Sequence, residues 1–429
     1  MESEKAQALD LAAFVGLDWA DKGHVVCLQA ADSARIELSV LPQQPEALHN
    51  WVSELRSRFA GRKVGIALEQ SRGTVMHALM TYDFLVLYPI NPMTLSRYRQ
   101  AFASSGAKDD PADAELLMDL IKLHRDRFKP WVADDAQTRT IQLLVEYRRS
   151  TVEERTRLTN RLTSLLKGYF PQALAWAGEI DSLQACDFLE KWPTLAAIQK
   201  ARPSQVRNFY QQHRCRRDNV IEDRMAAIAL ARPLTEDPAV ISASTTMVLA
   251  TAAQLRTVIQ SIDQFDQQLQ KLYQQHPERR LYESLPGAGK VLQPRLLAAL
   301  GTDRDRFASA LEVQQFSGIA PVTRKSGNIC HVYRRYACAT FIKQTFHEFA
   351  NQSIRQSVWA RAFYEQQRQW GKGHHAAVRS LAYKWIRIIY RCWRDRVPYD
   401  EQIYLEALRR RNSPLLSRLT LLISVGANA

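Results

Sequence analysis

Five short apolar runs between Phe14 and Ile90, separated by turn signals and helical stretches, leave few folds open to the first third of this chain. "FVGLDWA" (14–20) and "HVVCLQA" (24–30) are joined by "DKG", a hairpin signal, and "RIELSVL" (35–41) supplies a third strand. In "PEALHNWVSELRSRFAG" the residues Leu48, Trp51, Val52 and Leu55 recur at helical spacing, and Gly61 closes the run. "KVGIALEQ" (63–70) predicts a fourth strand, "TVMHALMTY" a helix, "FLVLYPI" (84–90) a fifth strand, and helices follow from Asn91.

Three antiparallel strands followed by alternating helix and strand is the element order of the α/β ribonuclease H-like fold, an analogy from order alone. The carboxylates suit that layout. Asp18 lies inside an apolar strand, where an unpaired charge is costly to bury; an arginine or backbone N–H groups could also satisfy it. Glu69 ends the fourth strand. "KDDPADAELLMDL" (108–120) then opens a helix with Asp110 and Asp113 at i, i+3. Such a cluster either complements a helix N-terminus or, with Asp18 and Glu69, holds a hard divalent cation such as Mg²⁺ for phosphoryl transfer.

From Ile141 to Pro277 the pattern is mostly helical. Leu255, Ile262 and Leu269 recur every seven residues, as do Val258, Phe265 and Leu272, which is an a/d seam three heptads long. An intramolecular helical hairpin and an intermolecular coiled coil both explain it.

The charge is uneven. From Arg280 onward there are 24 Lys and Arg against 10 Asp and Glu, the whole of the formal net charge of +14. Such a region suits polyphosphate partners, although a solvated basic surface has the same composition. "LPGAGKVLQPRLLAALG" (285–301) reads as helix, tight turn, helix, in which Gly287 and Gly289 would let backbone N–H groups, with Lys290, approach a phosphate. "FSGIAPVTRKSGNICHVYRRYA" places Ser326 in a polar turn with Arg324 and Lys325 before it and Arg334 and Arg335 after it. A serine beside a glycine is ordinarily a turn residue. His374 and His375 suit surface or nucleic-acid contacts better than metal ligation. The six cysteines show no CxxC and no zinc-finger spacing, so free thiols in a reducing cytoplasm are expected. No secretory signal is evident, and no apolar run is expected to span a membrane.

Taken in order, "GLDWA", "ALEQS", "KDDPADA", "LPGAGKVLQPRLLAALG" and "FSGIAPVTRKSGN" closely resemble the DEDD transposases of bacterial insertion sequences, the insertion-sequence one-ten family. The closing "YKWIRIIYRCWRDRVPYDEQIY" looks most like its eleven-eleven branch. The resemblance implies a RuvC-like N-terminal domain (1–128) with the tetrad Asp18, Glu69, Asp110 and Asp113, then a helical, coiled-coil region (129–280). It also implies a basic, mainly α transposase domain (281–404) with a helix-hairpin-helix-like element and a nucleophilic Ser326; residues 405–429 would be a tail. Asp109, where the family has an uncharged residue, makes the third ligand ambiguous; Asp110 keeps the i, i+3 relation. Implied partners are donor and target DNA, a structured non-coding (bridge) RNA as guide, and further copies of the chain in a dimer or tetramer. A RuvC-like structure-specific nuclease with a structural serine, and a non-catalytic nucleic-acid-binding protein, are the competing functions.

Overall fold

Each of the five apolar runs is a strand, and together they form one mixed sheet. The computed structural model describes residues 10–69, 73–102, 110–215, 217–327 and 329–416. Strands β1 (Ala13–Asp18), β2 (Gly23–Ala30), β3 (Ile36–Pro42), β4 (Val64–Leu68) and β5 (Leu85–Pro89) lie in the order β3-β2-β1-β4-β5. The β1–β2 and β2–β3 pairs are antiparallel, whereas β1–β4 and β4–β5 are parallel. This is the ribonuclease H-like arrangement expected from element order.

Strand alternation divides the sheet faces. Val15, Leu17, Val26, Ile66 and Leu68 point to the core shared with α1 (Pro45–Arg58) and α2 (Thr74–Leu79). Phe14, Cys27 and Ala67 point to the opposite face, covered by α3 (Pro92–Phe102) and α4 (Asp110–Leu123). The first compact unit ends at Ala133, past the expected 128, because Trp131 packs on this core and donates its N–H to the Leu87 carbonyl at 2.7 Å.

The second unit, Asp134–Ala429, joins the helical region and the basic third. Helices α5 (Ala136–Tyr169) and α11 (Pro238–Gln274) run antiparallel: Arg148 pairs with Asp266 at 2.5 Å and Gln137 Nε2 donates to the Leu272 carbonyl at 2.9 Å. Leu255, Ile262 and Leu269 are buried within the single chain, with Val258, Phe265 and Leu272 partly buried. In this chain the heptad seam is therefore covered by its own α5. Among the described residues, α6 (Ala173–Trp176), α7 (Leu183–Lys191), α8 (Leu195–Gln199), α9 (Pro203–Gln212) and α10 (Asp218–Leu230) cap the far end of the pair. One expectation is corrected: α11 contains an 18-residue window of mean hydropathy 1.3, so by length and composition it could cross a membrane. The buried seam accounts for part of that apolarity.

At the near end, Ile141, Val145, Leu269 and Tyr273 join a core with α12 (Arg279–Glu283), α13 (Gly289–Leu300), α14 (Ala310–Phe316), α15 (Thr340–Gln356), α16 (Val358–Gln369), α17 (His374–Asp395) and α18 (Glu401–Arg410). This shared core is why no boundary falls at 280. Helix α18 also runs through the expected start of the tail at 405, since Leu408 and Leu415 are buried in the same core. Residues 417–429 of that expected tail lie outside those described. The mainly α region contains one element its sequence did not announce, a two-stranded ribbon of β6 (Val322–Ser326) and β7 (Ile329–Tyr333).

Candidate active site

The acidic residues are placed by a missing methyl group. A Cβ on Gly16 in β1 would fall 1.8 Å from the Ala114 carbonyl oxygen and 2.6 Å from the Met118 nitrogen, so α4 rests its backbone directly on the strand. Further back along the sheet, Gly65, paired with Phe14, faces Ile121. Helix α4 thus runs against the direction of β1, and its first turn lies at the end of the strand that carries Asp18.

Asp18 is two residues beyond Gly16 and so shares the α4 face. Glu69 follows directly on Leu68, which pairs with Leu17, so the two carboxylates occupy neighbouring positions at the ends of parallel strands. Alternation from Gly65 and Ala67 assigns Glu69 to the α4 side too. Asp110 and Asp113 form the acidic first turn of α4, where the helix N-terminus favours negative charge. Asp110 is exposed, whereas Asp18 and Asp113 are buried. The backbone therefore carries the four expected tetrad positions toward the same end of one sheet. Asp109 lies outside the described residues.

Asp113 already faces a cation. Arg99 on α3 donates from Nε and Nη2 to its two carboxylate oxygens, each at 2.6 Å, a bidentate pair. No local sequence signal links Arg99 to Asp113, fourteen positions away. Among the described residues no three His, Cys, Asp or Glu side chains stand close enough to enclose an ion. The donor set is nevertheless wholly carboxylate oxygen, which suits a hard divalent cation, and Arg99 shows that positive charge is accommodated there. Beneath α4, burial and the nearby Glu115 and Asp119 push the Cys27 thiol up to about 11, which leaves it protonated and inert.

Ser326 belongs to the second unit. It is the exposed last residue of β6, opposite Ile329, and Gly327 at φ +55° begins the connection to β7. Arg324 and Lys325 are exposed on the same strand, and the Arg324 guanidinium lies 5.7 Å from the Tyr333 ring centroid. Neither face of the ribbon is buried, and ribbons of this width fit a DNA major groove. At its root Arg335 donates to the Ala320 carbonyl, and Arg334 lines a cleft with Lys372 and Arg379, two cations that sequence reading passed over inside a long basic helical run.

Lys290 lines a separate groove of about 780 Å³ with Arg148, Arg149, Lys271 and Arg295. Gly287, φ +80°, is required by packing, since a Cβ there would meet the Gln352 carbonyl at 2.9 Å on α15. Gly289, φ +51°, faces open space. The turn between α12 and α13 thus uses its first glycine for helix contact and leaves only its second open to a ligand.

Comparison with known proteins places these two regions in one kind of molecule. The transposase family profile of DEDD, IS110 type matches residues 15–171, and that of the transposase IS116/IS110/IS902 family matches residues 279–365. The mini-circle putative transposase for IS117 of Streptomyces coelicolor is 28% identical over 400 residues, covering 91% of this chain and 96% of its own length. The 44.8 kDa protein of insertion element IS116 from Streptomyces clavuligerus is 25% identical, covering 89% and 95%. The pilin gene-inverting protein of Moraxella bovis is 28% identical over 156 residues, 34% of this chain and 47% of its own.

Proposed function

This chain is a transposase of the IS110 family of insertion elements, and from that premise we propose that it cuts and rejoins DNA with Ser326 as nucleophile and Asp18, Glu69, Asp110 and Asp113 as its metal-holding acids. The observation that supports the reading is the placement of four carboxylate-bearing positions toward one end of one sheet, on the side of α4. Asp110, one turn before Asp113, is the third ligand. Mg²⁺ is the ion its oxygen donors suit, and when bound it supplies positive charge against the phosphate oxygens of the transfer.

Ser326 Oγ bonds to the scissile phosphorus, and the departing strand end leaves as a hydroxyl that carries the proton the serine lost. Attack by a strand hydroxyl on the serine-linked phosphate reverses the step and reseals the backbone. Arg324 and Lys325 neutralise the phosphate beside the serine. Donor and target DNA are the substrates, and a structured non-coding RNA supplies the guide; the +14 of the last third supports both assignments. Assembly into a dimer or tetramer is supported by apolar surface outside the seam, at Leu230, Leu234, Val240 and Met247.

One observation favours a second reading. Among the described residues of its own unit, no side chain hydrogen-bonds Ser326 as an activating base would. A RuvC-like nuclease, cutting with water and using the serine only to shape the ribbon tip, would need none. A suicide DNA substrate separates the two. The wild-type chain should give a denaturant-resistant protein–DNA band, Ser326→Ala none, and Asp18→Asn neither band nor cut. Cleavage by Ser326→Ala with free ends released would establish the nuclease instead.

A further inference from the structure

The root of the ribbon opens into a cleft of about 690 Å³ whose lining includes Arg334, Arg335, Lys372 and Arg379 and no carboxylate. Elsewhere in the chain exposed and half-buried arginines are commonly tied to acids, as Arg148 is to Asp266 and Arg295 to Glu348. Here, among the described residues, neither Arg334 nor Arg379 makes an ion pair, and the two are close enough that Arg334, after burial itself, lowers the proton affinity of Arg379. Lys372 is held in place by neutral groups only, donating to Gln367 Oε1 at 2.5 Å and Ser380 Oγ at 3.0 Å. A folded chain that collects cations without counter-charge in a concave site has built a place for an anion.

Two aromatic rings narrow the class of anion. Tyr333 and Tyr383 line the same cleft, and Tyr333 remains about half exposed at the end of β7. Cations that track a backbone, combined with rings on which a base can stack, characterise single-strand recognition; a paired base keeps its faces covered. Ser326 stands four residues along β6 from Val322, the partner of Tyr333, or about 13 Å from the root. A strand seated in the cleft could reach the ribbon tip within a few nucleotides.

We propose that this cleft binds an unpaired nucleotide of a DNA strand, its phosphate among Arg334, Lys372 and Arg379 and its base against Tyr333 or Tyr383. The proposal rests on the DNA-processing reading but not on which residue is the nucleophile. Its function is to grip the strand on one side of the point of exchange while the ribbon presents the other.

The test is equilibrium binding of a fluorescein-labelled dT octamer to the full chain, by anisotropy across a salt series, with EDTA present so that no strand is cut. Arg379→Gln and Lys372→Gln should each weaken binding at least about fivefold and flatten the salt slope by about 0.7 per lost contact. Tyr333→Leu should weaken binding without changing the slope, because it removes stacking and no charge. Arg161→Gln, an equal charge loss on the exposed side of α5, should change neither. Arg379→Gln relieves a like-charge contact, so a melting temperature at or above wild type confirms that the fold is intact. Unchanged affinity in Arg379→Gln and Lys372→Gln, or an equal loss in Arg161→Gln, overturns the proposal. So does tighter binding of a duplex or of an RNA octamer with the same dependence on Arg379. Failure of the transposase reading would look different: octamer binding would persist while the unaltered chain, with Mg²⁺, neither cut nor rejoined DNA.

Discussion

Arg99 closes on Asp113 through two parallel hydrogen bonds of 2.6 Å, and Asp113 is almost wholly buried behind it. A guanidinium therefore occupies the position against this carboxylate that a metal ion would need to share or take. The pair makes the acidic site stable in the absence of metal and couples its occupancy to α3.

Removing the guanidinium exposes that coupling. Arg99→Ala should cost about 3 kcal/mol in EDTA, because a buried carboxylate loses its partner. Mg²⁺ should then raise the melting temperature of the variant more than that of wild type, since it binds only the folded site. Equal shifts in the two proteins would mean that Asp113 is no ligand.

Gly16 sets the height of α4 over the sheet. Gly16→Ala should destabilise the first unit by about 1–3 kcal/mol, as the new methyl meets backbone that cannot rotate away. Cleavage should fall further than stability, because the first turn of α4 moves away from Asp18. Wild-type cleavage in a folded Gly16→Ala chain would detach the acids on α4 from the reaction.

The exposed apolar surface, not the seam, should govern assembly. Met247→Glu combined with Val240→Lys should lower the sedimenting mass without lowering the melting temperature, since both side chains are solvent-exposed in the single chain. Ile262→Glu should instead unfold the α5–α11 pair, because a charge would be buried without a partner. An unchanged mass in the first variant would place the contact between copies elsewhere.

Burial holds His276 below its ordinary pKa, against the opposing pull of Asp135 and Glu278. Its Nδ1 accepts the Glu278 N–H at 3.1 Å, and its Nε2 lies 3.0 Å from the Thr138 hydroxyl, so the neutral ring fits both. The unfolded chain takes up the proton first, near pH ~6.5. The stability that neutral His276 provides is complete above that pH and is lost as pH falls through it. Melting temperature should decline between about pH 7.5 and 5.5, and less so in His276→Gln. An undiminished decline would point away from His276. Asp134 and Asp135, whose pKa values are lowered by Arg306 and by hydrogen bonds from Thr138 and Thr302 against the cost of burial, lose their contribution only at more acid pH.

What could be read from residue order alone depended on whether burial leaves a period in the sequence. Strand β3, mostly exposed, was legible from the alternation of Ile36, Leu38 and Val40 with polar residues, whereas β1, β2, β4 and β5 were legible because one or both faces are covered. Asp18 stood out for the same reason, as a charge inside a buried strand. The β6–β7 ribbon was not legible: with Arg324, Lys325, Ile329 and Val332 all exposed, nothing selects an alternation of apolar and polar. Heptad spacing in α11 announced a buried face but could not say what covers it, and α5 of the same chain does. Arg99 had no signal at all, because its partner is reached through the packing of α3 on α4.

The α5–α11 pair has a consequence for distance. Its 34-residue arm is about 50 Å long, and its two ends are rooted in different cores, Ile141 and Val145 in one, Leu162 and Leu166 in the other. The pair is thus a ruler, and its graduations are heptads. Deleting seven residues from each arm would keep the same side chains meeting and bring the two cores about 10 Å closer. A matched deletion of five residues would instead turn the far core through about 140° as well as shorten the span. A series of such chains, graded by whole heptads, would measure how much reach recombination demands of this protein, separately from any change in its chemistry.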